Sequence, residues 1–200
     1  MAFNIDAFKS QGLAFGGARP TLFRVLMEFP VSIAGDTQRA SYLIRSTSLP
    51  SSSVSSIPVP YFGRKIKIAG DRDFEDWSVT VMNDEDFGLR NSFEAWLNLI
   101  NTHVSNRIGS GVSGPNGSAP DIYKVDLIVQ QFSKAGPSNE SGVIRQYKFN
   151  GAFPTSVGAI SLDWDSTNTV ESFDVTFSYD YWEPLATETS PIYNVELNPA

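Results

Sequence analysis

Three features of the amino-acid sequence predict a mainly β fold, an antiparallel β-sandwich or barrel flanked by one α-helix. Segments of period-2 hydrophobicity recur along the chain, one stretch has helical periodicity, and Ser, Gly and Pro cluster between them. Two hundred residues, 41% hydrophobic and 18% charged, are enough to bury a core and too apolar for a disordered chain. No domain linker or internal repeat interrupts them, so 1–200 reads as a single domain.

Taken in order, residues 1–16 read as an N-terminal arm, lacking the basic and apolar regions of a secretory signal. Strands are predicted at 21–29 (TLFRVLMEF), 39–46 (RASYLIRS), 57–69 (IPVPYFGRKIKIA) and 75–82 (EDWSVTVM). Further strands are predicted at 123–132 (YKVDLIVQQF) and 143–150 (VIRQYKFN). In several of these, both parities are apolar, as in Leu22 and Leu26 against Phe23 and Val25, which predicts cover on both faces. Leu89, Phe93, Trp96, Leu97 and Ile100 form one apolar stripe at helical spacing, with Asn83 or Asp84 as the expected cap. Near the C-terminus, Ile160, Leu162 and Trp164 alternate with polar residues, as do Phe173, Val175, Phe177, Tyr179 and Tyr181. Ser166–Thr169 lies between these runs, so the pair reads as a hairpin whose second face carries Asp163, Asp165, Asp174 and Asp180. The stretches 47–58, 104–121 and 133–142 read as loops, and 185–200 as a C-terminal extension.

Charge is unevenly distributed. The net charge is -7, yet residues 151–200 hold eight acidic residues and no Lys or Arg. Residues 1–150 hold 14 acidic and 15 basic residues, a balance of +1. An acidic surface repels phosphates, which argues against tight nucleic-acid binding. There are no cysteines and no apolar run long enough to span a bilayer, so neither thiolate chemistry nor membrane insertion is expected.

Catalytic constellations are missing. The one histidine, His103, falls at the end of the predicted helix, and one His without Cys does not make a common zinc site. Gly70-Asp71-Arg72-Asp73 lacks the spacing of a calcium loop and reads as a salt-bridged turn between strands. Asp163 and Asp165 fall on the same side of a strand beside a turn, a common solvated arrangement for two carboxylates. Neither an enzyme nor a cofactor or metal site is expected.

Three blocks carry a resemblance: ARPTLFRV (18–25), IPVPYFGRKIKIAGDRDFEDWSVTVMNDE (57–85) and FPTSVGAISLDWDSTNTVESFDVTFSYDYWE (153–183). In order and content the chain resembles the tail tube family of T-even-type contractile phages over roughly 17–184. The resemblance implies a virion tail subunit, assembled in the host cytoplasm, whose hexameric rings share an inner β-barrel and stack into a hollow tube inside a sheath. It implies partners among sheath, baseplate hub, tape measure and tail terminator proteins, with DNA passing through unbound. It also points to 47–64 as a ring-stacking loop, with Leu49, Val54, Ile57, Val59, Tyr61 and Phe62 as contact candidates. Asp163, Asp165, Asp174 and Asp180 are candidates for the lumen or the sheath-facing surface. Two alternatives remain: a tube subunit of a contractile injection or type VI-like secretion system, and a monomeric β-sandwich binding module or glycosidase.

Overall fold

A computed structural model describes residues 5–12, 16–107, 113–114, 117–118, 122–134 and 142–186. A short turn of helix, α1 (Ile5–Ala7), runs into a π-turn at Phe8–Gly12, and eleven strands and two further helices follow. These are β1 (Phe23–Met27), α2 (Thr37–Leu43), β2 (Ile44–Thr47), β3 (Ser53–Tyr61), β4 (Arg64–Asp73), β5 (Trp77–Met82) and α3 (Gly88–Ile100). The two-residue strands β6 (Ser113–Gly114) and β7 (Gly117–Ser118) pair only with each other. The chain then continues through β8 (Val125–Phe132), β9 (Val143–Val157), β10 (Ser172–Ser178) and β11 (Tyr181–Leu185). Much of the predicted N-terminal arm, the C-terminal extension and the 104–121 and 133–142 loops lies outside the described residues.

One long strand organises the sandwich. The N-terminal half of β9 lies between β8 and β11, with β1 outside β8; its C-terminal half pairs with β10, followed by β5 and β2. A strand that leaves one layer for the other needs a bend. It comes at Gly151, at φ 65°, where the β8 register shifts between Val125 and Leu127. There the Gly151 N–H donates to Asp126 Oδ1 at 3.1 Å and the Asp180 N–H to the Asn150 carbonyl at 3.1 Å. A Cβ on Gly151 would lie 2.4 Å from Asp180 Oδ2, so both conformation and space favour glycine.

The core fills the space between the layers. Trp77 stacks on Phe149 at 4.5 Å between centroids, and Val25, Met27, Val79, Val81, Leu127, Val129, Phe173, Val175 and Phe177 are buried around them. The α3 stripe closes the core from one side: Phe93 and Trp96 pack on Phe29 and Phe177, and the Trp96 indole N–H donates to the Tyr123 carbonyl at 2.8 Å. The helix expected from the sequence is therefore present, and it is amphipathic for the reason its spacing suggested.

Four local readings are corrected. Residues 39–43, expected in a strand, belong to α2, because Asp36 caps that helix by accepting the Arg39 N–H at 2.9 Å. Neither Asn83 nor Asp84 caps α3. Asn83 is held by Glu171 at the end of the β5–β10 ladder, Asp84 pairs with Arg39, and Phe87 takes the cap position at φ 54°. The partner of β10 is the end of β9; Ile160, Leu162 and Trp164 lie in the connecting segment 158–171 and form no strand. The strand expected through Tyr181 breaks at Asp180, which turns Tyr181 outward.

Arg39 ties α2 to the start of α3, with 2.6 Å to Asp84 and 2.7 Å to Asp86. The Arg39 hydrogen bond, aided by the Gly88 N–H, holds the Asp86 carboxyl at about 2 against an ordinary 3.8. Because this pKa is lowered on folding, the contribution is present above about pH 4 and is lost as pH falls from there toward 2. Asp86→Asn should therefore flatten the fall in melting temperature between pH 4 and 2, measured by circular dichroism at low salt. High salt should shrink the difference, since the pair is solvent-exposed. Gly151→Ala should destabilise the fold by about 1–3 kcal/mol, read as a shifted urea midpoint at unchanged slope.

Candidate assembly site

β3 and β4 form a sheet of their own, bonded to no other described strand. Their register sets Ile57 opposite Ile68, Val59 opposite Ile66, and Tyr61 opposite Arg64, so these apolar side chains share one face. Pro58 and Pro60 alternate with them and sit opposite Lys67 and Lys65 on the other face. The ribbon reverses at Phe62-Gly63, with φ 42° and 77°, the doubly positive pattern of a type I′ turn. Gly63 adopts it freely. Phe62 does so against its Cβ, packs edge-on to Tyr61 at 4.6 Å, and is 90% exposed.

This hairpin corrects the single strand expected at 57–69 and the loop expected at 47–58. Its apolar face has no cover: Ile57, Val59, Tyr61, Ile66 and Ile68 are all exposed. A two-stranded ribbon alone is marginal in water. Covering its half-exposed aliphatic side chains would contribute on the order of 1 kcal/mol each.

The root of the hairpin, by contrast, is firmly held. The Trp77 indole N–H donates to the Ser48 carbonyl at 2.8 Å, and that of Trp182 to the Ser51 carbonyl at 3.0 Å. On the returning strand, the Tyr179 hydroxyl donates to the Glu75 carbonyl at 2.8 Å, and Phe74 packs against both Tyr179 and Trp182. Burial, followed by Asp76 and Glu75, raises the Tyr179 phenol pKa, so the hydroxyl keeps its proton. One core aromatic, Trp77, and two packed against the core, Tyr179 and Trp182, thus use their polar atoms to fix where the arm leaves the sandwich.

Of the six contact candidates, Ile57, Val59 and Tyr61 lie on the open face and Phe62 at the tip. Val54 falls on the opposite parity beyond a register shift, and Leu49 lies in the root segment. Gly70–Asp73, expected as a turn, is instead the end of β4. The sequence reading missed Ile66 and Ile68 as members of the face, and Phe74, Tyr179 and Trp182 as the clamp. Gly63 midway between two alternating runs was the available signal for the hairpin.

The four acidic candidates are not neighbours on one face. Asp180 is paired with Lys124 at 2.6 Å beside the Gly151 bend. Asp163 and Asp165 lie in the 158–171 segment, where Asp163 Oδ1 accepts the Asp165 N–H at 3.1 Å. Asp174 faces away from the core on β10 and accepts the Thr80 hydroxyl at 2.7 Å. The register puts Ser78, Thr80, Thr176 and Ser156 on that same outward face, a hydroxyl-rich surface. His103 lies beyond α3, its N–H donating to Asn98 Oδ1 at 3.3 Å.

A family profile described as phage tail tube protein matches residues 18–184. The chain is 39% identical over 166 residues to the tail tube protein gp19 of Enterobacteria phage T4, covering 83% of this chain and 91% of that one. It is 28% identical over 178 residues to the tail tube protein of Serratia phage KSP90, covering 88% and 93%. Among solved structures, the fold is similar to the sheath/tube terminator of the PVC extracellular contractile injection system, with TM-score 0.58 and 18% identity over 85% of this chain and 97% of that one. A chain of the anti-feeding prophage baseplate gives TM-score 0.59 at 11% identity, over 86% and 97%.

Trp182→Phe keeps the ring and removes the hydrogen bond to Ser51. It should cost about 1 kcal/mol in the free energy of opening the hairpin root locally. Hydrogen exchange should accelerate selectively at the amides of residues 48–54; uniform acceleration across the fold would contradict a local clamp.

Proposed function

This chain belongs to the phage tail tube protein family, and from that membership we propose that the β3–β4 hairpin is the element by which its rings stack. The protein is a structural subunit of the virion tail and not an enzyme. Its copies build a hollow tube inside the contractile sheath, through which DNA passes to the host. The observation that carries the stacking role is the ribbon's continuous uncovered apolar face, fixed at its root by Trp77, Tyr179 and Trp182.

Within a ring, six subunits join through the open edges of the β9–β10–β5–β2 layer. β2 leaves one edge bare and the end of β9 the other, and closing the layer on itself removes both. The hydroxyl-rich outer face of that layer then lines the conduit, with Asp174 as its acidic member. With Asp174 and a single basic residue, Arg45, among β2, β5, β10 and the end of β9, such a surface gives phosphates little to hold, so DNA slides past. Sheath, baseplate hub, tape measure and terminator proteins are the proposed contacts at the outside and ends of the tube. An injection-system tube would share this architecture and differ in cargo; the 39% identity to a phage tail tube protein favours the phage.

Two substitutions test the hairpin's role. Ile66→Asp puts a charge on the open face, and Phe62→Asn installs the turn residue that a type I′ hairpin prefers while removing the apolar tip. Both variants should keep wild-type circular dichroism, and both should lose tubes in negative-stain microscopy at concentrations where the unsubstituted chain forms them. Tubes of normal length from both variants would remove the hairpin from the stacking contact.

A further inference from the structure

The segment between β9 and β10 holds a further uncovered apolar surface. Leu162 is 81% exposed and Trp164 100%, and Val170 is exposed as well. Trp164 is nonetheless held in a defined turn. The Ser166 N–H donates to the Asp163 carbonyl at 3.2 Å and the Thr167 N–H to the Asp165 carbonyl at 2.9 Å, followed by Asn168 at φ 60°. A tryptophan kept outward by an ordered turn has the character of an interface anchor.

The sheet register places this turn relative to the hairpin. β5 and β10 run antiparallel, with Trp77 opposite Phe177 and Met82 opposite Ser172. The hairpin leaves from the Trp77 end, and the 158–171 segment from the Met82 end. Hairpin and tryptophan turn therefore lie at opposite ends of the same layer. Nine residues of β3 span about 30 Å, which sets the length of the ribbon beyond its root. Copies stacked in the same orientation bring one copy's hairpin to the next copy's tryptophan turn. Such head-to-tail contacts propagate without closing, as a tube's axial contacts must.

Their charges are complementary. From Ile57 to Ile68 the hairpin carries Arg64, Lys65 and Lys67 and no acidic residue; from Gly158 to Glu171 the turn segment carries Asp163, Asp165 and Glu171 and no basic one. Pro58 and Pro60 lack N–H groups, so β3 makes a poor edge for strand addition and offers its face instead. We propose that the 158–171 turn of one copy is the seat for the β3–β4 hairpin of the axially adjacent copy, with Trp164 and Leu162 covering the Ile57–Ile68 face and Asp165 meeting Arg64, which shares that face opposite Tyr61. This rests on the stacked-ring reading and names the counter-surface that reading leaves open.

Asp165 enters its turn through its backbone N–H and carbonyl, so its charge can be reversed while both turn hydrogen bonds stay in place. Asp165→Lys alone and Arg64→Glu alone should each reduce sedimentable tubes about tenfold, and combining the two should restore most of the loss. In parallel, Trp164→p-benzoylphenylalanine in assembled tubes should, on irradiation, cross-link to residues 57–68 of another copy, identified by mass spectrometry. No rescue together with cross-links to any other segment, or to the sheath, would overturn the proposal while wild-type tubes left the family function standing. An unsubstituted chain that never forms tubes, in particles or in concentrated solution, would overturn both.

Discussion

A two-stranded ribbon has no second layer against which to bury its apolar face, and this constraint gives the chain its character. The sandwich satisfies itself: Trp77, Phe149, Phe93, Trp96 and Phe177 fill the space between two sheets and a helix. The β3–β4 hairpin cannot do the same, because its aliphatic pairs face outward and no described strand extends its sheet. A two-stranded ribbon without a covered apolar face is only marginally stable in water. The proposed stacking contact would give that face the cover it lacks within one copy.

The clamp at the hairpin's base links that requirement to the core. Trp77 lies in the core with its ring on Phe149, yet its N–H reaches the Ser48 carbonyl. Tyr179 packs on Phe149 and Phe74 while its hydroxyl holds Glu75. The side chains that stabilise the sandwich also set the direction of the arm, so a subunit's folding and its readiness to dock are coupled. An arm launched at a fixed angle loses less conformational freedom on docking, and repeated contacts along a tube then share one geometry.

The bend at Gly151 has an equally broad effect. Without it, β9 would remain in one layer and could not pair with β11 in one and β10 in the other. The same corner takes up Asp180, paired with Lys124, and Asp126, whose carboxyl is held below its usual range by Lys148 and the Gly151 N–H despite the opposing effect of burial. Acidic residues that look equivalent in the sequence therefore serve different ends. Asp180 and Asp126 stabilise the corner, Asp174 lies on a hydroxyl-rich face, and Asp163 with Asp165 shapes an exposed turn.

Much of the fold was legible in the sequence because periodicity is a local property. Strands β1, β5, β8 and β10 and helix α3 declare themselves through side chains that alternate or recur every turn. The blocks around Trp77 and Trp164 carried the family resemblance, and the shortage of basic residues after 150 was plain from counting. What the sequence could not settle were choices made by distant partners. Asp36 turned 37–43 into helix, Glu171 took Asn83 away from the α3 cap, and β10 chose the end of β9 over 160–165. Ile57 and Ile66 look like core residues in a linear chain, and only the pairing of β3 with β4 away from every other strand leaves them uncovered. Hydrophobic pattern fixes which side chains share a face; tertiary structure decides whether the same molecule has anything left to cover it.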